Sequence, residues 1–365
     1  MMRFFLKTRN MAGLIFTIGP LLSILMLGRD LPFFLFFFCS MFLSLVPLHG
    51  AMKFLPFRIW LLLCGLISFA GMVFFFPQNL PVPSFASAIL LGIGSCGLLL
   101  LLPPWIAVGR YRSRTLFLGL VWTGILLLQL PLRFLFLHSA TAGLVISFFF
   151  MAAGLMVCLQ SPPENRLLEE PIHRIHKPAG RKTSFFIFSI TASTGICFSM
   201  LPLKATYSAA ISSFSAGSLL LGLCLAAAPL LSSLYIEKKG IYNGCILSIC
   251  LCECAILLMC AAKETTLFLV GMILLFQAAG SIAVFLPVLT FYLYGTVGYM
   301  QGFRQHASCL PAGLLCAMPF WHEANQGILT PDEPAITLLF LLILGFFCIF
   351  FAWKQRFTIL KNEIL

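Results

Sequence analysis

The chain is a succession of continuous apolar runs, each close to the length of a bilayer span and separated by short polar breaks. A helix crossing the hydrocarbon layer needs about 20 predominantly apolar residues. In lipid the backbone must satisfy its own hydrogen bonds, so only helices and closed barrels can span. Barrel strands alternate apolar and polar residues, and these runs do not alternate, so helices are the reading. Charged residues make up only 9% of the chain, against roughly 25% in soluble globular proteins. With 61% hydrophobic residues, the composition excludes a disordered chain, a secreted disulfide scaffold and an ordinary cytosolic enzyme. Twelve spans would use about 240 residues of the 365. The remainder suffices for connections and tails but not for a soluble domain. Function is therefore expected inside the bundle or at its mouths.

Twelve spans are expected, at about 11–28, 31–49, 57–76, 84–108, 115–137, 140–160, 184–203, 208–235, 241–262, 265–293, 297–320 and 335–353. Ten to twelve is the range, because the breaks at Arg29-Asp30, at His138-Ser139 and before the eighth span are short. The first run reads as a membrane helix. Although Lys7 and Arg9 precede it, it is longer than a signal-peptide core and lacks a small-x-small cleavage site.

Orientation follows from the basic residues. With the N-terminus in the cytoplasm, the same side receives the basic loop residues Arg3, Lys53, Arg58, Arg110, Arg166, Lys182, Lys238, Lys239 and Lys354, among others. That side holds eighteen of the 23 Lys and Arg. The opposite side holds Arg29, Arg133, Lys204 and Lys263, and Arg304 lies within a span. The expectation is an integral protein of the plasma (inner) membrane with both termini cytoplasmic. The +12 formal charge then reflects topology and attraction to the lipid bilayer's anionic headgroups rather than nucleic-acid binding.

The fourteen Cys all fall in apolar spans, including Cys250, Cys252 and Cys254. Alternate spacing spreads those three thiols around a helix, so they read as small hydrophobes and no metal site is expected. There is no phosphate loop, zinc-ligand spacing or nucleophile elbow. The chain is expected to be no enzyme and to carry no cofactor.

The longest polar stretch, Ser161 to Thr183, follows six spans and precedes six more. The halves match at an offset of about 184 residues: Pro103 with Pro287, each after Leu, and span starts near 57 and 241. Pro47 pairs with Pro229 within two residues of that offset. This predicts an all-α polytopic membrane protein of about twelve transmembrane helices in two pseudo-symmetric six-helix halves. The organisation is 1–160 as an N-terminal bundle, 161–183 as a cytoplasmic linker and 184–365 as a C-terminal bundle.

The turn after the eighth span reads Ser233-Leu234-Tyr235-Ile236-Glu237-Lys238-Lys239-Gly240. With the six-plus-six layout and the basic central loop, it resembles the major facilitator superfamily over nearly the whole chain. That family carries Gly-x-x-x-Asp-Arg-x-Gly here. Glu237 stands at the Asp position, Lys238 at the Arg position and Gly240 at the second Gly, while Ser233 replaces the first Gly. The resemblance implies a gating role for Glu237, Lys238 and Gly240, the acid pairing with basic residues to latch one conformation. The equivalent first-half turn, Gly50 to Arg58, contains no acid.

Ionisable and amide side chains inside spans are costly and mark candidate sites. Trp122, Gln129 and Arg133 share a face of the fifth span. Gln301, Arg304, Gln305 and Ser308 share a face of the eleventh, and Gln277 lies in the tenth. Gln129, Arg133, Gln277, Gln301, Arg304 and Gln305 are the candidate substrate-binding residues. The eleventh-span face is expected to line the cavity between the halves, with Gln277 opposite and Arg133 nearer the outer mouth. Glu253, mid-span in the ninth, and His306 are the candidates for ion coupling, with protons as the coupling ion. Pro20, Pro103, Pro202 and Pro287 are expected to bend helices, and Gly92, Gly94, Gly97 and Gly280 to permit close packing.

As the resemblance implies, the leading functional reading is a secondary active transporter of a small-molecule solute working by alternating access. The alternative is a non-transporting sensor or scaffold that kept the fold and lost the first-half gate. A lipid-linked glycan flippase or membrane-embedded transferase is a third class, less supported because the loops are short.

Overall fold

A computed structural model describes residues 11–21, 31–51, 54–75, 84–108, 114–160, 177–199, 216–262, 264–294, 299–327 and 332–364. Residues 22–28 of the expected first span, most of the linker, Lys53 and Pro202 lie outside the described residues. The described segments are helical, with short turns, and contain no strand. They form α1 (Met11–Leu21), α2 (Leu31–Ala51), α3 (Phe57–Phe75), α4 (Ser84–Val108), α5 (Arg114–His138) and α6 (Ala140–Gln160). A second set follows: α7 (Lys177–Ser199), α8 (Ala216–Lys239), α9 (Ile241–Ala261), α10 (Thr265–Tyr294), α11 (Tyr299–Asn325) and α12 (Asp332–Ile364). Eight of them are long and apolar enough to cross a bilayer. The protein is integral to a membrane and all-α.

The chain divides into two compact units, Met1–Glu170 and Pro171–Leu365. α7 begins at Lys177, earlier than the expected Ser184, so the end of the polar stretch is helical rather than linker. Pro178 falls in the first turn, where its missing N–H costs nothing. At the narrow α5–α6 break, Ser139 caps α6: its Oγ accepts a hydrogen bond from Ala142 N at 3.3 Å.

Lipid tails are as apolar as Leu, so close packing rather than hydrophobic expulsion holds such helices together. Small residues supply it. In the first unit, Gly71, Gly94 and Gly97 bring α3 against α4, and Gly92 brings α4 against Phe37 and Ser40 of α2. Gly13 and Gly154 join α1 to α6, while Gly19 and Gly124 join α1 to α5. In the second unit, Gly195 and Gly313 join α7 to α11. Gly280 seats α10 on Ala228, Leu225 and Pro229 of α8. A Cβ at position 280 would lie 2.6 Å from that of Ala228. Pro47, Pro131, Pro229, Pro287, Pro311 and Pro319 sit within helices that continue past them.

Exposed aromatics collect on the outer helices, including Phe36 and Phe42 on α2 and Phe340, Phe347, Phe350 and Phe351 on α12. α7 is different. Thr183, Ser184, Ser189, Thr191, Ser193 and Thr194 are all buried, and several return their hydroxyl proton to the preceding turn, as Thr194 does to Ile190 O at 2.8 Å. Such a helix suits the interior of its unit, because the hydroxyls of Ser189, Thr191 and Thr194 are satisfied by their own backbone. Lys182, near its start, lies over the Phe351 ring of α12, 5.4 Å from the centroid.

Candidate functional site

In the second unit a polar constellation stands at the end of α10 and the start of α11. The i, i+3, i+4, i+7 spacing of Gln301, Arg304, Gln305 and Ser308 places them on one helix face. That face is not covered: Gln301 and Gln305 are exposed, Arg304 and Ser308 half-buried. Ser308 donates to Gln305 O at 2.8 Å, so its hydroxyl serves its own helix. The Gln301 and Gln305 amides and the Arg304 guanidinium are a set of donors suited to a polar or anionic group.

His306 points the other way. It is fully buried, with Nδ1 2.7 Å from Thr290 Oγ1 on α10. Thr290 in turn donates to Leu286 O at 2.7 Å. The Tyr294 ring meets the His306 ring edge to face, centroids 5.6 Å apart. The Tyr294 hydroxyl reaches Gln305 Oε1 in a long contact of 3.5 Å. Nearby, Tyr299 donates to Pro287 O at 3.3 Å and stacks on Phe303. Gly302 leaves room for the Tyr294 ring. Thr290 and Tyr294 were not candidates in the sequence. Their signal was available, a hydroxyl and a phenol one turn apart at the end of an apolar helix, but nothing in the sequence shows which face meets His306.

Gln277 lies elsewhere. Its Nε2 donates to Ala228 O at 3.3 Å and contacts Ser232 Oγ at 3.5 Å, both on α8. The amide therefore clamps α10 to α8 beside the Gly280 contact. In the first unit, Gln129 is buried, 5% exposed, and its Oε1 has no hydrogen-bond partner among the described residues. It shares a stripe of α5 with Ile125, Leu132 and Phe136, all buried. Phe136 packs on Gly143 of α6, so this stripe is turned toward α6. Arg133, one turn on, and Trp122 are half-buried. The structure thus gathers Gln301, Arg304, Gln305 and His306 into one neighbourhood, ties Gln277 to a helix–helix seam, and buries Gln129 within its own unit.

Glu253 is half-buried between the exposed Cys250, Cys254 and Leu257, at the edge of the outer face of α9. Cys252 alone of the three clustered thiols is buried. The Glu237-Lys238-Lys239-Gly240 turn is exposed. α8 ends at Lys239, and Gly240 takes φ 87 and ψ 162 before α9 starts at Ile241. Gly240 N donates to Ile236 O at 2.8 Å, and Asn243 Nδ2 donates to Lys239 O at 2.7 Å. Lys238 and Lys239 stand in the last turn of α8, where the helix dipole favours cations. The first-half turn is built differently, with α2 remaining helical through Gly50 to Ala51.

No family model matches the sequence, and no curated protein matches it. Solved structures do match in fold. The human organic anion transporter MFSD10 (TETRAN) superposes with a TM-score of 0.73 at 15% identity, over 94% of this chain and 98% of its own. FucP, a major facilitator superfamily transporter solved in the outward conformation, gives 0.68 at 15% identity, over 96% and 99%. XylE, a proton:xylose symporter bound to 6-bromo-6-deoxy-D-glucose, gives 0.65 at 13% identity, over 96% and 95%. The chain has the fold of the major facilitator superfamily transporters, across nearly its whole length and nearly the whole of theirs.

Proposed function

We propose that this protein is a secondary active transporter, not an enzyme, that moves a small polar or anionic solute by alternating access with protons as the coupling ion. The observation that carries the reading is the uncovered face of Gln301, Arg304 and Gln305 on a membrane helix. Arg304 stands in the second turn of α11, which starts at Tyr299, and an Arg in a span is disfavoured by up to about 2.5–3.5 kcal/mol on insertion scales, the full cost applying at a helix centre. Such a cost is understandable where the group meets water and a solute, and the buried His306, two residues beyond Arg304, is the candidate carrier of the coupling proton. The fold is that of transporters, one named for organic anions and one for proton:xylose symport. The first supports an anionic solute, and the second supports coupling to protons. Location in the plasma (inner) membrane with both termini cytoplasmic rests on the basic-residue asymmetry.

The test is uptake and efflux in proteoliposomes across a panel of anionic and hydroxylated solutes, with and without a proton gradient. Arg304→Ala is expected to abolish movement of the preferred solute while leaving insertion intact. Arg304→Lys is expected to restore little, because an ammonium lacks the planar two-pronged donor set. Normal transport by Arg304→Ala would remove this face from the site. A second reading, a sensor or scaffold without transport, is favoured by the acid-free Gly50 turn, where α2 continues as helix. Solute binding with no flux under any gradient would select it.

A further inference from the structure

The hydroxyl of Thr290 has one proton, and two acceptors compete for it. Leu286 O lies 2.7 Å away on the preceding turn, and His306 Nδ1 lies 2.7 Å away on α11. Leu286 O carries no hydrogen, so that short contact can be made only by the Thr290 proton, and several other buried hydroxyls are arranged in the same way. Thr17 donates to Gly13 O, Ser68 to Cys64 O and Thr194 to Ile190 O, each across one helical turn. With its proton committed to Leu286 O in the same way, Thr290 Oγ1 is left with lone pairs only, and the short contact to Nδ1 requires that Nδ1 carry the hydrogen. A neutral imidazole has one N–H, so its lone pair is then on Nε2.

We infer that Thr290 is a positioning residue that fixes neutral His306 in the Nδ1–H form and makes Nε2 the atom through which His306 takes up and releases the coupling proton. The inference rests on the transport reading above. Nε2 is buried in this structure, so uptake takes place when the alternating-access change opens it to water; the Nε2 lone pair then forms a bond to the proton, and the ring becomes cationic. On release that same bond breaks and the lone pair is restored. The Nδ1–H···Oγ1 bond persists in both states, because Nδ1 is a donor whether the ring is neutral or charged. The imidazole therefore keeps one orientation through the cycle, with the Tyr294 ring against it. Tyr294 also reaches Gln305 on the uncovered face, so a change at His306 is one side chain away from the candidate solute contacts.

The titratable and charged groups near His306 among the described residues come from α10, α11 and α7. α10 contributes Tyr294. α11 itself contributes Arg304, Tyr299 and Cys309. α7 runs parallel to α11, since Gly313 meets Phe188 to Ala192 and Ala317 meets Gly195. That register brings Arg181 and Lys182 near the depth of His306, Arg181 exposed and Lys182 turned to Phe351.

The experiment has two independent arms, both on the full chain in lipid. The first is 15N NMR of histidine-labelled protein in nanodiscs, with the His306 signal assigned by its loss in His306→Asn. The neutral ring is expected to show a protonated Nδ1 and a bare Nε2. Thr290→Ser should keep that single form, and the near-isosteric Thr290→Val should lose it. The second arm compares solute counterflow with proton-gradient-driven accumulation. Thr290→Val is expected to retain counterflow and to lose several-fold in driven accumulation, and Thr290→Ser to recover it. A wild-type His306 protonated at Nε2 when neutral, an unchanged tautomer in Thr290→Val, or undiminished driven accumulation in that variant overturns the inference. If the unaltered protein shows no flux in either transport assay, the transport reading fails and the proton-carrying role falls with it, while the NMR arm still decides whether Thr290 sets the tautomer.

Discussion

Gly50 and Gly240 occupy the corresponding turns of the two halves, and substituting alanine at each should have opposite effects. Neither is crowded, since a Cβ at either position would meet nothing within 4 Å. Packing therefore contributes nothing to the comparison, and only the backbone differs. Gly240 has φ 87 and ψ 162, a region that L side chains avoid because Cβ crowds the neighbouring peptide. Holding alanine there costs about 1–3 kcal/mol. Gly50 lies inside helical α2, where glycine is less favourable than alanine by about 0.8–1.0 kcal/mol. Gly50→Ala should therefore be neutral or stabilise by up to that amount. With roughly 2–4 °C per kcal/mol for a unit of this size, Gly240→Ala should lower the unfolding midpoint by about 2–12 °C and Gly50→Ala should raise it by up to about 4 °C. The measurement is thermal unfolding in one detergent at one scan rate, read as a difference between variants because membrane proteins often unfold irreversibly. Equal shifts of the same sign, or a Gly240→Ala variant as stable as the unaltered chain, would refute the backbone argument.

Three further outcomes follow from the same structure. Gly280→Leu must push α10 away from α8, because its Cβ starts 2.6 Å from that of Ala228 and 3.1 Å from Leu225 O. A destabilisation of about 1–3 kcal/mol or more is expected, read as a lower midpoint, and an unchanged midpoint would mean the seam is not packed as described. Glu237→Gln should shift the balance of inward- and outward-open states by a coupling of roughly 1–3 kcal/mol at most. Unchanged labelling of cysteine probes on both sides would count against a latch. Reporter fusions should place the 161–176 segment and both termini in the cytoplasm, and an external signal from that segment would overturn the orientation.

Much of the fold was legible because a bilayer imposes its own ruler. α4 and α6 have the boundaries that apolar run length suggests, and α3 and α10 differ by a residue. Ends were less legible where the signal is local chemistry. α7 starts at Lys177 because Pro178, Ala179 and the basic pair that follows tolerate a helix outside the hydrocarbon, where run length says nothing. α12 continues to Ile364 for the same reason. The candidate site was legible in one dimension. Spacing alone put Gln301, Arg304, Gln305 and Ser308 on one face of α11. It could not say that Gln277 would be consumed by Ala228 O, because that depends on where α8 lies against α10. Nor could it find Thr290, which is an ordinary helix hydroxyl until α11 brings His306 to it.

The distribution of polarity among the helices carries a further argument. In a soluble protein the most apolar segments are the most buried. Here α2 and α12 expose much of their apolar surface, as lipid-facing helices can without cost. The full-length helices that do not qualify as spans by apolarity include α7 and α11. These two pack closely on each other through Gly195 and Gly313. α7 hides its hydroxyls inside the unit, and Ser189, Thr191 and Thr194 return theirs to the preceding turn. α11 does the reverse on one face, leaving Gln301 and Gln305 exposed while burying His306 on the other. Hydroxyls bonded to their own helix backbone are explained by packing alone. The α7–α11 seam is closed by Gly195 and Gly313 and does not use the exposed Gln301 and Gln305 amides. That contrast, between a helix whose polar groups are buried and a helix that leaves two amides exposed, is the ground on which the proposed solute site is put on α11.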